Sequence, residues 1–220
     1  MGTAWTDLDG NAPLAGGSRA NYTSDTKDPV FSSVVMSDSD LKVGETSTLT
    51  ITFSEAVNGF DNSDITLENG TLSAVSSSDG GVTWTGTFTP TDDIEDATNV
   101  ISVGTTLTDL AGNAPLAGAS TANYAIDTKE PTLSIVLDDT DLKIGDTATV
   151  TITFTEAVTN FDNTDITAEN GTLTEIGSSE GGVTWTATLT PTDDIEDPTK
   201  IISDGTTLTE IAGNAPQAGA

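Results

Sequence analysis

The 220-residue chain has no Cys and no His, only 6 Lys and Arg, and aromatic side chains at 5% of its positions. Each shortage removes a class of chemistry. Without His or Cys there is no Ser-His-Asp triad, no thiol nucleophile, no ordinary zinc or haem site and no disulfide. Against 35 acidic groups the few basic ones leave a formal net charge of −29. A field of that sign repels nucleic acid and anionic lipid, so neither a nucleic-acid partner nor direct membrane insertion is expected. No apolar run reaches membrane-spanning length, and Met1-Gly2-Thr3-Ala4-Trp5 has neither the charged nor the apolar region of a signal peptide. The lack of Cys fits the cytosol, and equally fits exported proteins that do not depend on disulfides. Leu, Ile, Val and Phe make up 48 of the 220 residues, just above the level at which high charge implies disorder. The chain is expected to fold with little margin, and its composition favours a hard cation held by oxygen ligands, above all calcium.

What is present is a repeat. Asp25-Thr26-Lys27-Asp28-Pro29 returns 102 residues later as Asp127-Thr128-Lys129-Glu130-Pro131. Trp84 returns 101 residues later as Trp185, and Ala111-Gly112-Asn113-Ala114-Pro115 at 212–216. The one-residue difference falls between Pro29 and Leu41, where the first copy is longer. Two copies follow, residues 25–126 and 127–220. The first has 15 acidic and 2 basic groups, a net charge of −13; the second has 18 and 3, a net charge of −15. Asp9-Gly10-Asn11-Ala12-Pro13 and Arg19-Ala20-Asn21-Tyr22 match 111–115 and 121–124, so residues 1–24 read as the C-terminal fragment of a preceding repeat. The second copy runs to Ala220 without a Tyr-bearing segment of its own, so it is expected to lack its last strand. The parent protein is expected to be a longer array.

Period-two alternation dominates each copy. Thr48-Leu49-Thr50-Ile51-Thr52-Phe53 and Thr149-Val150-Thr151-Ile152-Thr153-Phe154 place aliphatic side chains on one face and Thr on the other, as do 82–89 and 183–190. Gly- and Asp-rich turns separate these segments, and helical periodicity never exceeds a turn or two. In the second copy strands are expected near 132–137, 147–154, 165–169, 172–176, 183–190 and 201–209. About seven short strands per copy predict an all-β chain of tandem Greek-key immunoglobulin-like sandwiches, with Trp84 and Trp185 in the cores.

Phe53-Ser54-Glu55-Ala56-Val57-Asn58-Gly59-Phe60, Asp64-Ile65-Thr66, Asn69-Gly70-Thr71-Leu72, Asp109-Leu110-Ala111-Gly112-Asn113 and the Asp-Thr-Lys-x-Pro linker resemble the bacterial immunoglobulin-like repeats of giant RTX adhesins. The resemblance covers nearly the whole chain. It implies a secreted, cell-surface extender: beads stiffened by calcium that hold an adhesive tip away from the cell, with neighbouring repeats as their principal partners. Glu210 stands at the position of Asp109.

In such a Greek key, alternate loops gather at opposite poles, so consecutive copies place an outgoing pole against an incoming one. The predicted calcium ligands are Asp25, Glu55, Asp64, Asp109 and Asn113 for the first copy. Asp92, Asp93, Glu95 and Asp96, linker residues Asp127 and Glu130, and Glu156 and Asp165 serve the junction; Asp193, Asp194 and Asp197 lie at the far pole. Structural readings stand beside these. Thr91–Asp96 also suits a capped turn with Asp92 and Glu95 as a capping box; Asp127 suits a turn, as do Asp61 with Asp64 and Asp162 with Asp165. Asp38 with Asp40, and Asp139 with Asp141, read as solvated hairpins. Asp7-Leu8-Asp9-Gly10 lacks the later ligands of an EF-hand loop.

Two other functions are weighed. Thr rows at 48–52, 83–89 and 184–190 motivate a glycan- or ice-binding module, with Tyr22 and Tyr124 as the exposed-type aromatics. Paired carboxylates suit a glycosidase, but so few aromatics suggest no substrate pocket, and no enzyme is expected. Finally, residues 17–24 form a strand without a domain and the second copy a domain without its strand, which predicts head-to-tail strand donation between molecules.

Overall fold

A computed structural model describes residues 6, 8–11, 21–197, 199, 201–204 and 209–210, the last two by their backbone. Of the strand expected at 17–24, residues 21–24 are described and have no assigned secondary structure, and 17–20 lie outside the described residues. Strands are numbered in chain order. In the first repeat one layer runs β1 (Phe31–Met36), β3 (Ser47–Phe53), β8 (Thr83–Pro90) and β6 (Gly70–Leu72), with β7 (Ser76–Ser77) also on β8. The facing layer is built from three short patches. β2 (Asp40–Lys42), β13 (Tyr124–Asp127) and β9 (Glu95–Asn99) form the first. β12 (Ala119–Ser120), β10 (Ser102–Val103) and β5 (Ile65–Thr66) form the second, and β11 (Thr108–Asp109) with β4 (Val57–Asn58) the third. This is an immunoglobulin-like sandwich.

The alternation read from the sequence decides which face is wet. Along β3 the side chains of Ser47, Leu49, Ile51 and Phe53 are buried, while Thr48, Thr50 and Thr52 point outward. The Thr rows of β3 and β8 pair directly, Thr48 with Thr87 and Thr50 with Thr85, where their branched side chains suit an exposed twisted sheet. Leu41, Leu49, Ile51, Phe88, Ile101, Leu107, Tyr124 and Ile126 fill the first core. Burying a side chain such as Phe88 contributes about 1.5–3 kcal/mol. Trp84 packs edge-on against Phe60 with centroids 5.3 Å apart, and its indole N–H donates to the Gly81 carbonyl at 3.0 Å.

The second repeat repeats the outer layer as β14 (Leu133–Leu137), β15 (Ala148–Phe154), β20 (Thr184–Pro191), β18 (Gly171–Leu173) and β19 (Gly177–Ser178). Opposite lie β17 (Ile166–Ala168) with β21 (Ile202–Asp204), and β16 (Val158–Thr159) with β22 (Thr209–Glu210). A separate core surrounds Val150, Ile152, Phe154 and Phe161. Phe161 meets Trp185 at 5.3 Å, the counterpart of Phe60 and Trp84.

Of the strand predicted over 201–209, Ile202–Asp204 (β21) and Thr209 (β22) are described, pairing with β17 and β16, and residues 205–208 lie outside the described residues. Two expectations are corrected. Asp38–Asp40 is not a hairpin: β2 crosses to the facing layer and pairs in parallel with β13, Leu41 opposite Ile126. Tyr124 is not an exposed aromatic. It is 1% exposed, set edge-on to Phe88 at 5.5 Å. The extra residue of the first repeat is Ser32, a bulge where the β1–β3 register shifts between Phe31 and Ser33; β14 and β15 pair without one.

Candidate metal centre at the incoming pole

The loop after β3, the loop after β11 and the segment before Pro29 meet at one pole of the first repeat. There the carboxylates of Asp25, Glu55 and Asp109 each place an oxygen within 4.8 Å of the others. The three come from far apart in sequence because β11 pairs with β4, setting Asp109 opposite Val57 and so beside the Glu55 turn.

Asp109 is 3% exposed. Its Oδ1 accepts the backbone N–H groups of Ala111 (2.8 Å), Gly112 (2.7 Å) and Asn113 (2.8 Å), and its Oδ2 the Asn113 amide at 2.8 Å. Burial works against the ionised form, but the bonds from the Asn113 side chain and the three N–H groups outweigh it, so its carboxyl stays below the usual range. Asn113 also donates to the carbonyls of Asp25 (3.3 Å) and Lys27 (3.4 Å), fastening the incoming segment to the loop. Asn113 thus presents its amide nitrogen to the cluster and organises it.

Glu55 is the group with unspent capacity. Its Oε1 is buried and has no hydrogen-bond partner among the described residues. The Lys27 ammonium lies 3.3 Å away, at ion-pair distance without hydrogen-bond geometry. The cluster's three ligand groups are all carboxylates, whose hard oxygens fit a cation such as calcium.

The other predicted residues are placed differently. The Asp64 carboxylate accepts the Asp61 N–H at 3.0 Å and the Thr106 hydroxyl, closing a capping box on a short 3-10 turn. Asp165 accepts the Asp162 N–H at 2.9 Å in the same way. At the outgoing pole Glu95 pairs with Lys129 at 3.6 Å, and Asp96 accepts from Asn69 at 2.9 Å and from Thr98. Asp92 and Asp93 form a turn, with Asp93 at φ 62°, and no helix follows. They line a cavity of about 400 Å³ with Val43, Thr128, Glu130 and Thr132; the Glu130 Oε2 is buried with no hydrogen-bond partner among the described residues. Asp127 ends β13, pairing with Lys42 and Glu95.

In the second repeat, Asp127 and Glu156 occupy the positions of Asp25 and Glu55, and β22 sets Glu210 opposite Val158 as Asp109 is set opposite Val57. The Glu210 side chain lies outside the described residues. Asp193 and Asp194 line a cavity at the far pole, and Asp197 accepts from Asn170 at 3.3 Å.

Two functional residues were not singled out from the sequence. Lys27 balances the acidic cluster. Thr128, buried, donates its hydroxyl to the Thr91 carbonyl at 2.7 Å and accepts from the Ile94 N–H at 3.0 Å, locking the linker onto the first repeat. Their signal was the recurrence of Asp-Thr-Lys at both linkers, read there only for its acid.

No curated protein matches the chain. Among solved structures, one described as FdeC, a broadly conserved Escherichia coli adhesin, aligns at a TM-score of 0.45 and 14% identity, covering 86% of this chain and 63% of its own. The profile of the bacterial Ig-like domain family matches residues 25–126 and again 127–220. With both sandwiches matched end to end, the chain belongs to the bacterial Ig-like domain family.

Proposed function

We propose that the two repeats are a spacer module of an extracellular bacterial surface protein of the adhesin type, stiffened by calcium where repeats meet. The observation that carries this reading is the convergence of Asp25, Glu55 and Asp109, each with a carboxylate oxygen within 4.8 Å of the others, with Glu55 Oε1 buried and accepting no hydrogen bond. Asp25, Glu55 and Asp109 would hold the ion, and it would supply positive charge that like-signed poles otherwise lack. Asp25 belongs to the segment that leads into β1, whereas Glu55 and Asp109 belong to loops of the sandwich. An ion shared among them ties the incoming chain to the sandwich. Without it, repulsion among the carboxylates favours a looser hinge, and binding to the folded state alone adds to stability.

The remaining features agree with a passive bead. No helix among the described residues is long and apolar enough to cross a membrane. The Thr rows lie on a twisted sheet and Tyr124 is buried, so neither an ice-matching plane nor a pair of sugar-stacking rings is favoured.

Small-angle scattering and thermal melting in millimolar calcium and in chelator test the proposal. A longer maximum dimension and a higher Tm in calcium are expected. Equal curves in both would overturn it.

A further inference from the structure

Three Asn-Gly dipeptides occur in the chain, at 58–59, 69–70 and 170–171. Such a pair is the most reactive setting for an asparagine, because a following residue without Cβ lets its backbone nitrogen approach the Asn side-chain amide carbon. The fold gives the three different surroundings.

Asn69 and Asn170 are held. The Asn69 amide donates to the Asp96 carboxylate at 2.9 Å and to the Asn99 side chain at 2.8 Å, and the Asn170 amide donates to the Asp197 carboxylate at 3.3 Å. Their glycines are wedged as well. A Cβ on Gly70 would run into the Phe88 ring, and one on Gly171 would lie 2.8 Å from a Leu189 methyl. Asn58 has neither restraint. It is exposed, and its side chain makes no hydrogen bond among the described residues. Gly59 is exposed too, and at φ +73° it has nothing within 4 Å of where a Cβ would stand. Both halves of the reacting pair have room to move.

We infer that Asn58 is a self-modifying site. The Gly59 backbone nitrogen attacks the Asn58 amide carbon; the bond from that carbon to the side-chain nitrogen breaks, and the nitrogen leaves as ammonia with the proton that Gly59 gives up. Water then opens the cyclic imide. Opening at the side-chain carbonyl gives aspartate, and opening at the main-chain carbonyl gives isoaspartate, whose backbone runs through the former side chain and is longer by one methylene. Either product adds one negative charge.

The position gives the reaction a structural consequence. β4 forms a two-stranded sheet with β11, Asn58 opposite Thr108, and that pairing sets Asp109 opposite Val57. An extra methylene at residue 58 slides one strand of the pair against the other and loosens the loop that carries Asp109. The second repeat is exempt, because Thr159-Asn160 stands where Asn58-Gly59 stands, and the bulky Phe161 follows Asn160. The first repeat alone carries a one-way clock at this pole.

Peptide mapping by mass spectrometry tests this on the whole chain, aged at physiological temperature in mildly alkaline buffer with chelator, which keeps the metal reading out of the result. Asn58 should convert about tenfold or more faster than Asn69 and Asn170, each of which must first give up a hydrogen bond to a carboxylate. In denaturant the three should convert at comparable rates. Asn58→Thr, which takes the residue of the second repeat, should fold as the wild type does and leave position 58 silent. Aged wild type should melt below fresh protein, while aged Asn58→Thr keeps its Tm. Equal rates at the three sites in the folded chain would overturn the inference, and so would a contrast that persists in denaturant, since the fold would then play no part. An unchanged Tm after complete conversion of Asn58 would overturn the link to β11.

Discussion

The Asn113 amide nitrogen donates to the Asp25 carbonyl at 3.3 Å, across 88 residues of sequence. That bond holds the incoming segment, and Asp25 with it, against the loop that carries Asp109, while the β11–β4 pairing brings Glu55 beside them.

Glu55 separates ligation from simple surface charge. Glu55→Gln keeps the shape and removes the charge of the carboxylate whose buried Oε1 accepts no hydrogen bond among the described residues. In chelator its melting temperature should equal or exceed that of the wild type, since a repulsive carboxylate is gone. In calcium it should lose most of the wild-type rise. Calorimetry under both conditions reads the difference; a parallel shift in both means that Glu55 binds nothing.

Tyr124 offers a contrast between ring and hydroxyl. The ring is buried against Phe88, while the hydroxyl has no hydrogen-bond partner among the described residues. Tyr124→Phe should therefore stay within about 0.5 kcal/mol of the wild type or exceed it. Tyr124→Ala should cost about 3–5 kcal/mol through the cavity it leaves. Chemical denaturation measures both.

The same phenol responds to alkali. Burial, then the charges of Glu68 and Asp96, push its pKa up to about 12. A folded-state pKa above the unfolded value near 10 means that the stabilising contribution is complete below that value and disappears as pH rises through about 12. Phenolate absorbance should show this tyrosine ionising late and together with unfolding. Early ionisation in a folded chain would show that the ring is not buried.

At the acid end Asp79 is the informative group. Its Oδ1 accepts the N–H groups of Thr83 (2.9 Å) and Val82 (3.2 Å) and the Ser77 hydroxyl at 2.8 Å. The Thr83 bond, then that of Ser77, lowers its pKa to about 2. With the folded value depressed, its contribution is present above the ordinary carboxylate range and is lost as pH falls toward 2. Asp79→Asn should flatten that part of the acid stability profile, and carboxyl NMR titration should place the wild-type midpoint directly.

Gly81 shows where the turn tolerates no side chain. Its φ is +100°, and a Cβ would come within 2.6 Å of the Val57 carbonyl oxygen. Gly81→Ala should cost about 1–3 kcal/mol, more than Gly80→Ala, where φ is +82° but nothing lies within 4 Å. Equal melting of the two variants would show that the β4 turn is free to move.

Much of the architecture is legible without coordinates because its causes are local. The alternation at 48–53 assigns inner and outer faces residue by residue, and β3 follows it position for position. The recurrence of Trp84 at Trp185 marks equivalent cores, each with its edge-on Phe. The burial of Tyr124 was not legible. Its segment, Ala-Asn-Tyr-Ala-Ile-Asp, has small and polar neighbours typical of an edge, and only the packing of β13 between β2 and β9 places the ring over Phe88. Ser32 was not legible either, since a one-residue insertion has the same sequence signature in a loop as in a bulge.

By itself, the sequence determined that this is an all-β chain of two like sandwiches with acidic loops, because strand alternation, turn residues and repeat identity are properties of neighbouring residues. Only the tertiary structure decided which acids act together. Asp61 and Asp64 lie three residues apart and satisfy a turn, whereas Asp25, Glu55 and Asp109 are distant in sequence and share one pole. The physical reason is that convergence depends on which strands pair across the sandwich, and that pairing is a long-range outcome of burying both sheets at once.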